Sequence, residues 1–555
     1  MAEIVSRVYG NFRGVDFRGE EIDILRSPDS LNVWKDYKET ESIRTRPEMA
    51  LKESFTAPVY GIFFFYDALI VHSGKKLYKI SNGTRTELFS GANERPSTSF
   101  IYNSMWYFMD GKNYLQYDGA TMKEVEGYVP TTSIGRKPAG GGTTYEDVNL
   151  LTGKRRNTFL ADGESKEFSL DAQNIDLEFK TIVKVNGTEV DNFVVDCTEG
   201  KIIFTTAPEK PLTDGQDNVS VEFRKTITGY RDKILKCTLL QVFDNRVFFA
   251  GNEDYPNMIF HCSLSDPTYC SDLDYYNEGL DNGMVKGLVA GNNNLWVFKE
   301  PTQANTTVFY HTPTIDNEYG KIYPSVHSSI STGCVGKAIN FNDDIVFFSD
   351  RGMEGISGDI TTEQAISHRS SVVDRKLLAE ASYKDMILEE WEGYLVVFVG
   401  NSVYLADSRA LFQNNNHPEY EWFYWNLGKT ITCAKNYNGT LYVGTSDGVY
   451  TMSDNHSPVE SYWVTPKDKF KFPQMQKTTN KRGCVVEATG DLSVYAKTEQ
   501  SDFELIGEYN NVTDYFVSRI KRKKFKDLQM KFHSSTRFSL EQVTLETFIG
   551  GYIKR

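Results

Sequence analysis

NGTLYVGTSDGVYTM at 438–452 reads as a polar turn, a short apolar run, a second turn and another apolar strand that carries a tyrosine. The same phrase returns as DALIVHSGKKLYKI (67–80), NSMWYFMDGKNYLQY (103–117), DNRVFFAGNEDYPNMIF (244–260), NNLWVFKEPTQANTTVFY (293–310), DDIVFFSDRGMEGI (343–356) and EGYLVVFVGNSVYLA (392–406). A hairpin with one apolar face is not stable alone and must stack on copies of itself. Successive starts lie 36 to 50 residues apart, except for one gap of 141. That period suits the four-stranded blade of a β-propeller and is too long for a short solenoid turn. The long gap implies a guest domain between the second and third units.

Composition points the same way. Of 555 residues, 13% are aromatic, with 32 Tyr and 35 Phe, and 42 Gly supply tight turns. Flat rings favour pleated sheet over helix, so the expected fold is all-β, with about seven short blades. The one short helix expected lies near Arg375–Tyr383.

Five segments follow. Residues 1–56 are polar, pinned by Trp34 and Tyr37, and read as an arm lying across its own propeller or a neighbouring subunit. Residues 57–129 carry the first blades. Residues 130–228 alternate with period two, with turns at Asn186-Gly187, Glu199-Gly200 and Asp214-Gly215, and read as an inserted β-sandwich. Residues 229–456 carry the remaining blades, and 457–555 form a C-terminal β-sandwich.

The net charge is -14, which argues against a nucleic-acid reader, whose affinity comes from basic groups. Acidic walls would instead let DNA slide past without sticking. One basic run, Arg519, Lys521, Arg522, Lys523 and Lys524, reads as a rim that grips an acidic neighbour. The seven cysteines show no CxxC pair, and the reading is free thiols in a reducing cytoplasm. No stretch approaches the ~18 apolar residues of a membrane helix. No membrane partner is expected.

The search for chemistry returns little. Ser349-Asp350-Arg351-Gly352 and Ser446-Asp447-Gly448 lack the spacing and Trp of a sialidase turn, so their aspartates read as turn residues. The eight histidines do not fall at metal-ligand spacing. Asp272, Asp274, Glu278 and Asp281 offer carboxylates but not the oxygen order of a calcium loop. No catalytic residue, metal or cofactor is expected. The rival to a structural role is a carbohydrate-binding or carbohydrate-degrading propeller that stacks sugars on Trp296, Trp391, Trp422 and Trp425, the last two in EYEWFYWNLG being the best candidates for exposure.

Four features carry a resemblance: two motifs, the guest domain's LLTGKRRNTFLADG and FTTAPEKPLTDGQDNVSVEF, and the C-terminal sandwich. RSPDSLNVWKDYKE followed by RTRP is similar to the RxPxxxxNMwxDy … RPG opening of tailed-bacteriophage virion proteins known as tail nozzle, tail tubular protein B or phage stabilisation proteins, with Glu48 where that family has Gly. DNRVFFAGNEDYPNMIFHCSLSDPTYC at 244–270 resembles one of their blades, matching at Asn245, Arg246, Gly251, Asn252, Pro256, Asn257, Ser263, Asp266 and Pro267. The inserted domain and the C-terminal sandwich beginning YWVTPKDKF fit the same layout. The resemblance implies a non-enzymatic β-propeller protein assembled in the host bacterial cytoplasm into the virion, at the tail or portal vertex. It implies a homo-oligomer, a hexamer, that contacts portal, adaptor and other tail proteins and lets double-stranded DNA pass during ejection. Arg26, Trp34, Tyr37, Arg44 and Arg46 are the expected subunit-interface residues, with the aromatics seated in a neighbour's pocket. Removing residues 1–50 is then expected to leave folded monomers that form no ring.

Overall fold

The structure, a computed structural model, describes residues 3–36, 42–303, 306–317, 320–356, 365–414, 417–454, 457–520 and 524–552, with the backbone alone at 413, 414, 417, 480–482 and 552. Among them are seven four-stranded antiparallel sheets, the blades of a β-propeller. Blade 1 runs from Val59–Phe65 to Thr84–Ser90, blade 2 from Thr98–Tyr102 to Met122–Glu124, and blade 3 from Leu239–Phe243 to Tyr275–Asn277. Blade 4 spans Val285–Gly291 to Ser325–His327, blade 5 Ala338–Phe341 to Ile366–His368, and blade 6 Ile387–Trp391 to His417–Asn426. Blade 7 takes three strands from Cys433–Tyr437 to Gly448–Ser453, and its fourth is Glu48–Ser54, from before blade 1.

The polar turn that opens each repeat has a stereochemical reason. In blades 2 to 7 the first two strands are joined by two residues with positive φ: Asn103-Ser104, Asp244-Asn245, Asn292-Asn293, Asn342-Asp343, Glu392-Gly393 and Asn438-Gly439. Two consecutive positive φ values match the twist of a tight hairpin, and Asn, Asp and Gly adopt them at least cost.

The apolar run that follows is buried on both faces. Tyr394, Val396 and Phe398 of blade 6 enter one core, while Leu395, Val397 and Val399 enter another. Val247 and Phe249 of blade 3 likewise part from Phe248 and Ala250. Side chains alternate across a strand, so a strand between two cores reads as a continuous apolar run.

The chain divides into two compact units, 1–90 with 305–308 and 328–555, and 91–304 with 309–327. The first holds blades 1, 5, 6 and 7 and a ten-stranded sheet that forms the C-terminal β-sandwich. Four of the ten strands come from the other end of the chain: Glu3–Gly10, Ser30–Leu31, Val33–Trp34 and Ile43–Thr45. Glu3–Gly10 runs antiparallel to Phe538–Tyr552, with Glu3 opposite Ile549 and Gly10 opposite Gln542. Residues 1–56, expected as an arm across the propeller or a neighbouring subunit, are built into their own chain: strands between 3 and 45 belong to the sandwich and 48–54 to blade 7.

The second unit holds blades 2, 3 and 4 and the inserted domain. A six-stranded and a three-stranded sheet enclose Phe159, Phe168, Val183, Ile202, Val221 and Phe223. Lys154–Phe159 pairs with Thr131–Arg136 on one side and Val219–Arg224 on the other, so the chain arrives and departs on either side of one strand. Residues 149–151 leave this sandwich. Leu150 and Leu151 join the core of blades 2 and 3, and the fully buried Asn149 donates to Tyr128 O and Thr268 O and accepts from Leu151 N and Cys270 N.

Among the described residues the α-helices are Tyr230–Leu235, which the repeats did not signal, and Asp374–Leu377, followed by a 3₁₀ turn at Tyr383–Asp385, where a helix was expected. Among the described residues no helix is long and apolar enough to cross a membrane.

Candidate functional site

The N-terminal segment is where the sequence placed its interface, and the structure builds a lock there. Gly14 sits at φ +79, and a Cβ on it would lie 2.0 Å from Trp422 O. This glycine lets Val15 N donate to the same carbonyl at 2.7 Å and tie the segment to the last strand of blade 6. Asn32, also at positive φ, donates from its backbone to Tyr424 O and from Nδ2 to Glu460 O, while Oδ1 accepts from Asn426 N and Arg46 Nε. Ser27 Oγ donates to Val464 O at 2.7 Å. Trp34 stacks on Trp391 with ring centroids 5.1 Å apart and meets Trp425 edge-on at 5.6 Å.

These contacts correct the interface assignment. Trp34, Arg26 and Arg46 are buried inside their own chain, 2%, 4% and 7% exposed. Arg46 spends its guanidinium on Asn32, Pro47 O and Asn426 O. Arg44 is a quarter exposed and pairs with Asp36 and Asp454. Tyr37 lies outside the described residues. An aromatic already enclosed by three rings has no surface to offer a neighbour. The expectation of a folded 51–555 monomer is corrected for the same reason, since removing residues 1–50 takes four strands of the sandwich and part of the closing strand of blade 7.

Arg519 and Lys524 of the basic run are exposed, and Lys521, Arg522 and Lys523 lie outside the described residues. The four tryptophans of the sugar-binding alternative are buried, Trp422 and Trp425 completely. Their indole N–H groups donate to backbone carbonyls: Trp296 to Gly291, Trp391 to Gly439, Trp422 to Arg369 and Trp425 to Val33. The expected exposure in EYEWFYWNLG fails because that strand has cores on both faces.

The acidic stretch is consumed internally. Glu278 accepts from Ser325 and lies 2.9 Å from His311 Nε2, Asp281 takes Lys299 and Thr302, and Asp274 faces His261. Among the described residues no group of three or more His, Cys, Asp or Glu is placed to hold a metal ion. Asp447 is a turn residue, tied to Lys429, Thr445 and Tyr450. In blade 5, His368 is gripped by Glu354 at 3.1 Å and Asp374 at 2.5 Å. Burial disfavours its charged form, yet the two carboxylates more than offset this and raise its pKa to about 10.

One cleft was not legible in the sequence. It has a volume of about 820 Å³ and lies between the N-terminal segment and the outer hairpin of blade 6, lined among others by Arg13, Arg26, Lys35, Leu411, Phe412 and Glu421. Arg13 Nε and Arg26 Nη2 approach Glu421 Oε1 at 3.7 and 3.9 Å. Burial pushes the Glu421 carboxyl up to about 7, against the pull of Arg26, Lys35 and Arg13. Burial also depresses the pKa of Arg26 and of Lys35. Residues 13, 26, 35 and 421 carry no common spacing, so only the fold brings them together.

The fold and these sites define a β-propeller protein whose characteristic motif residues serve as internal braces. No protein-family model and no curated protein sequence matches the chain. Solved structures similar to it include BamB from Moraxella catarrhalis, at 10% identity and a TM-score of 0.31, covering 78% of this chain and 94% of that one. YCF48 bound to D1 peptide shares 6% identity at a TM-score of 0.33, covering 74% and 97%. PorZ, a type-IX secretion system component of Porphyromonas gingivalis, shares 12% identity at 0.26, covering 83% and 77%.

Proposed function

We propose that this chain is a non-enzymatic structural protein of a bacteriophage virion, one subunit of a homo-hexameric ring that serves as tail nozzle or head–tail stabilising conduit for DNA ejection. The observation that supports this reading is where the residues of the phage resemblance fall. Ser27, Asn32, Trp34 and Arg46 tie the N-terminal segment to blade 6 and the sandwich. In blade 3, Asn252 Nδ2 donates to Asp232 O and Lys233 O in the short helix, Arg246 donates to Cys262 O and lies over the Tyr323 ring, and Asn257 donates to Gly279 O. These residues brace a framework, and a braced framework suits a part that must hold its shape under internal DNA pressure. Blades with short protected edges add to that rigidity.

A ring requires a surface that meets a different surface on the next subunit. With Arg26, Trp34 and Arg46 buried in their own chain, the C-terminal sandwich is the better candidate. Leu505, Tyr515 and Val517 are exposed there, beside Arg519. The net charge of -14 would let a polyanion pass without adhering.

Negative-stain imaging and mass measurement of the purified full chain, together with immunogold labelling of intact phage particles, test the reading. Rings with six-fold symmetry and label at the tail or portal vertex are expected. A chain that stays monomeric at every concentration tried and labels no particle would overturn it.

A further inference from the structure

The cleft beside blade 6 is lined by four cations, Arg13, Arg18, Arg26 and Lys35, and four carboxylates, Asp16, Glu21, Asp23 and Glu421, which are not equally engaged with one another. Arg18 is spent on a bidentate pair with Asp16, and Glu21 reaches out to Lys469. Asp23 stands exposed at the rim, where water screens it. What remains inside is Arg13, Arg26 and Lys35 around the carboxylate of Glu421, with both arginine approaches longer than a hydrogen bond; the other buried carboxylates nearby, Asp16 and Asp407, are each held by an arginine of their own, Arg18 and Arg409. Arg26 is 4% exposed, its guanidinium lies 3.9 Å from the centre of the Phe412 ring, and its Nη1 is buried with no hydrogen-bond partner. A buried guanidinium short of acceptors is costly. An acceptor supplied from outside would remove that cost.

We propose that this cleft binds an oxyanion, a carboxylate or a sulfate-like tetrahedral group, with Arg26 as the buried anchor and Arg13 and Lys35 as flanking cations. Charge-assisted bonds from guanidinium to such groups are among the strongest available to a protein. Leu411, 54% exposed at the rim beside Phe412, gives an apolar contact for whatever carries the charge. Glu421 is the internal competitor for the same cations. The charged groups facing it are Arg13, Arg26 and Lys35 from the N-terminal segment and Asp407 from blade 6, itself held by Arg409. Its carboxyl is protonated below about pH 7, which releases the cations, so an anion binds more tightly at pH 6 than at pH 8.

Isothermal titration of the full chain with sodium sulfate, and separately with the peptide Ac-Glu-Glu-Leu-NH2 against Ac-Gln-Gln-Leu-NH2, distinguishes the two sources of the anion. Saturable binding of sulfate alone assigns a free inorganic ion, and tighter binding of the acidic peptide assigns an acidic segment of a partner polypeptide. Either result supports the site. Arg26→Met and Lys35→Met should each weaken binding on the order of tenfold, the loss of one charge-assisted contact. Glu421→Gln should strengthen binding at pH 8 and abolish the difference between pH 6 and pH 8. If Arg26→Met does not fold, Lys35→Met and Arg13→Ala decide, because both side chains are partly exposed. Failure of both probes to bind, binding unchanged in Lys35→Met and Arg13→Ala, or tighter binding at pH 8 would overturn the proposal.

Discussion

Replacing Trp34 with alanine separates an internal brace from an interface anchor. The indole is 2% exposed, stacked on Trp391 and edge-on to Trp425, with Tyr394 at 5.7 Å. Truncating a buried aromatic to alanine costs about 3–5 kcal/mol through lost burial and the cavity left behind. The ring contacts add about 0.5–1.5 kcal/mol for each well-formed pair. One term opposes these: the buried indole Nε1 has no acceptor, and deleting it returns about 1–3 kcal/mol. The net expectation is a loss of about 3–4 kcal/mol, whereas Trp34→Phe, which keeps a ring and removes the orphan donor, should lose about 1 kcal/mol or less. Urea unfolding of the monomer, followed by near-UV circular dichroism and pulse proteolysis, measures both. Should Trp34→Ala unfold at the wild-type urea concentration while oligomers disappear, the ring faces a neighbour and the lock described above is wrong.

Gly14→Ala forces a side chain into positive φ against Trp422 O and should cost more than about 2 kcal/mol; wild-type melting temperature and soluble yield would contradict this. Asn149→Ala leaves Tyr128 O, Leu151 N and Cys270 N without their partner and takes one of two donors from Thr268 O, which keeps Tyr128 N, and a loss of about 2–4 kcal/mol is expected in chemical unfolding. Excising all of 130–228 should therefore destabilise blades 2 and 3, while a shorter excision that keeps 145–152 on a new linker should not. His368, raised to about 10 by Asp374 and Glu354, contributes stability that is fully present below its unfolded pKa of about 6.5 and fades as pH climbs towards 10. The stability gap between wild type and His368→Gln should accordingly be flat below pH 6 and shrink by a few kcal/mol between pH 6.5 and 10. A gap that widens with pH would show that the imidazole is held neutral.

The blades were readable because their signal is local. A two-residue turn such as Asn438-Gly439 and the apolar run after it lie within a dozen residues, and steric rules govern both. The inserted sandwich was readable for the same reason. The N-terminal lock was not, because its partners lie hundreds of residues away: Glu3 meets Ile549, Ser30 meets Trp463, and Trp34 meets Trp391. Polar sequence there reflects short strands that bury one or two side chains each and satisfy the rest through backbone bonds. Trp422 and Trp425 were expected to be exposed from their position in EYEWFYWNLG, yet the strand is buried from Glu419 to Trp425, and even Glu419 and Glu421 are enclosed. Asp272 to Asp281 showed carboxylates without the oxygen order of a calcium loop, but the sequence did not show the lysine, histidine and hydroxyls that engage Glu278 and Asp281.

The sharing of one sheet by the two ends of the chain has a consequence for biosynthesis. At roughly 5–20 residues per second, a ribosome takes about half a minute to two minutes to reach the C-terminal strand that Glu3–Gly10 pairs with. Throughout that time the first-made strands, and the Glu48–Ser54 edge that awaits blade 7, have no mate on the same molecule. Maturation thus waits on synthesis of the Phe538–Tyr552 strand, and a nascent segment left waiting can exchange with the same segment of an adjacent nascent chain on one polysome, which makes delayed threading the stage at which this protein is most open to domain swapping.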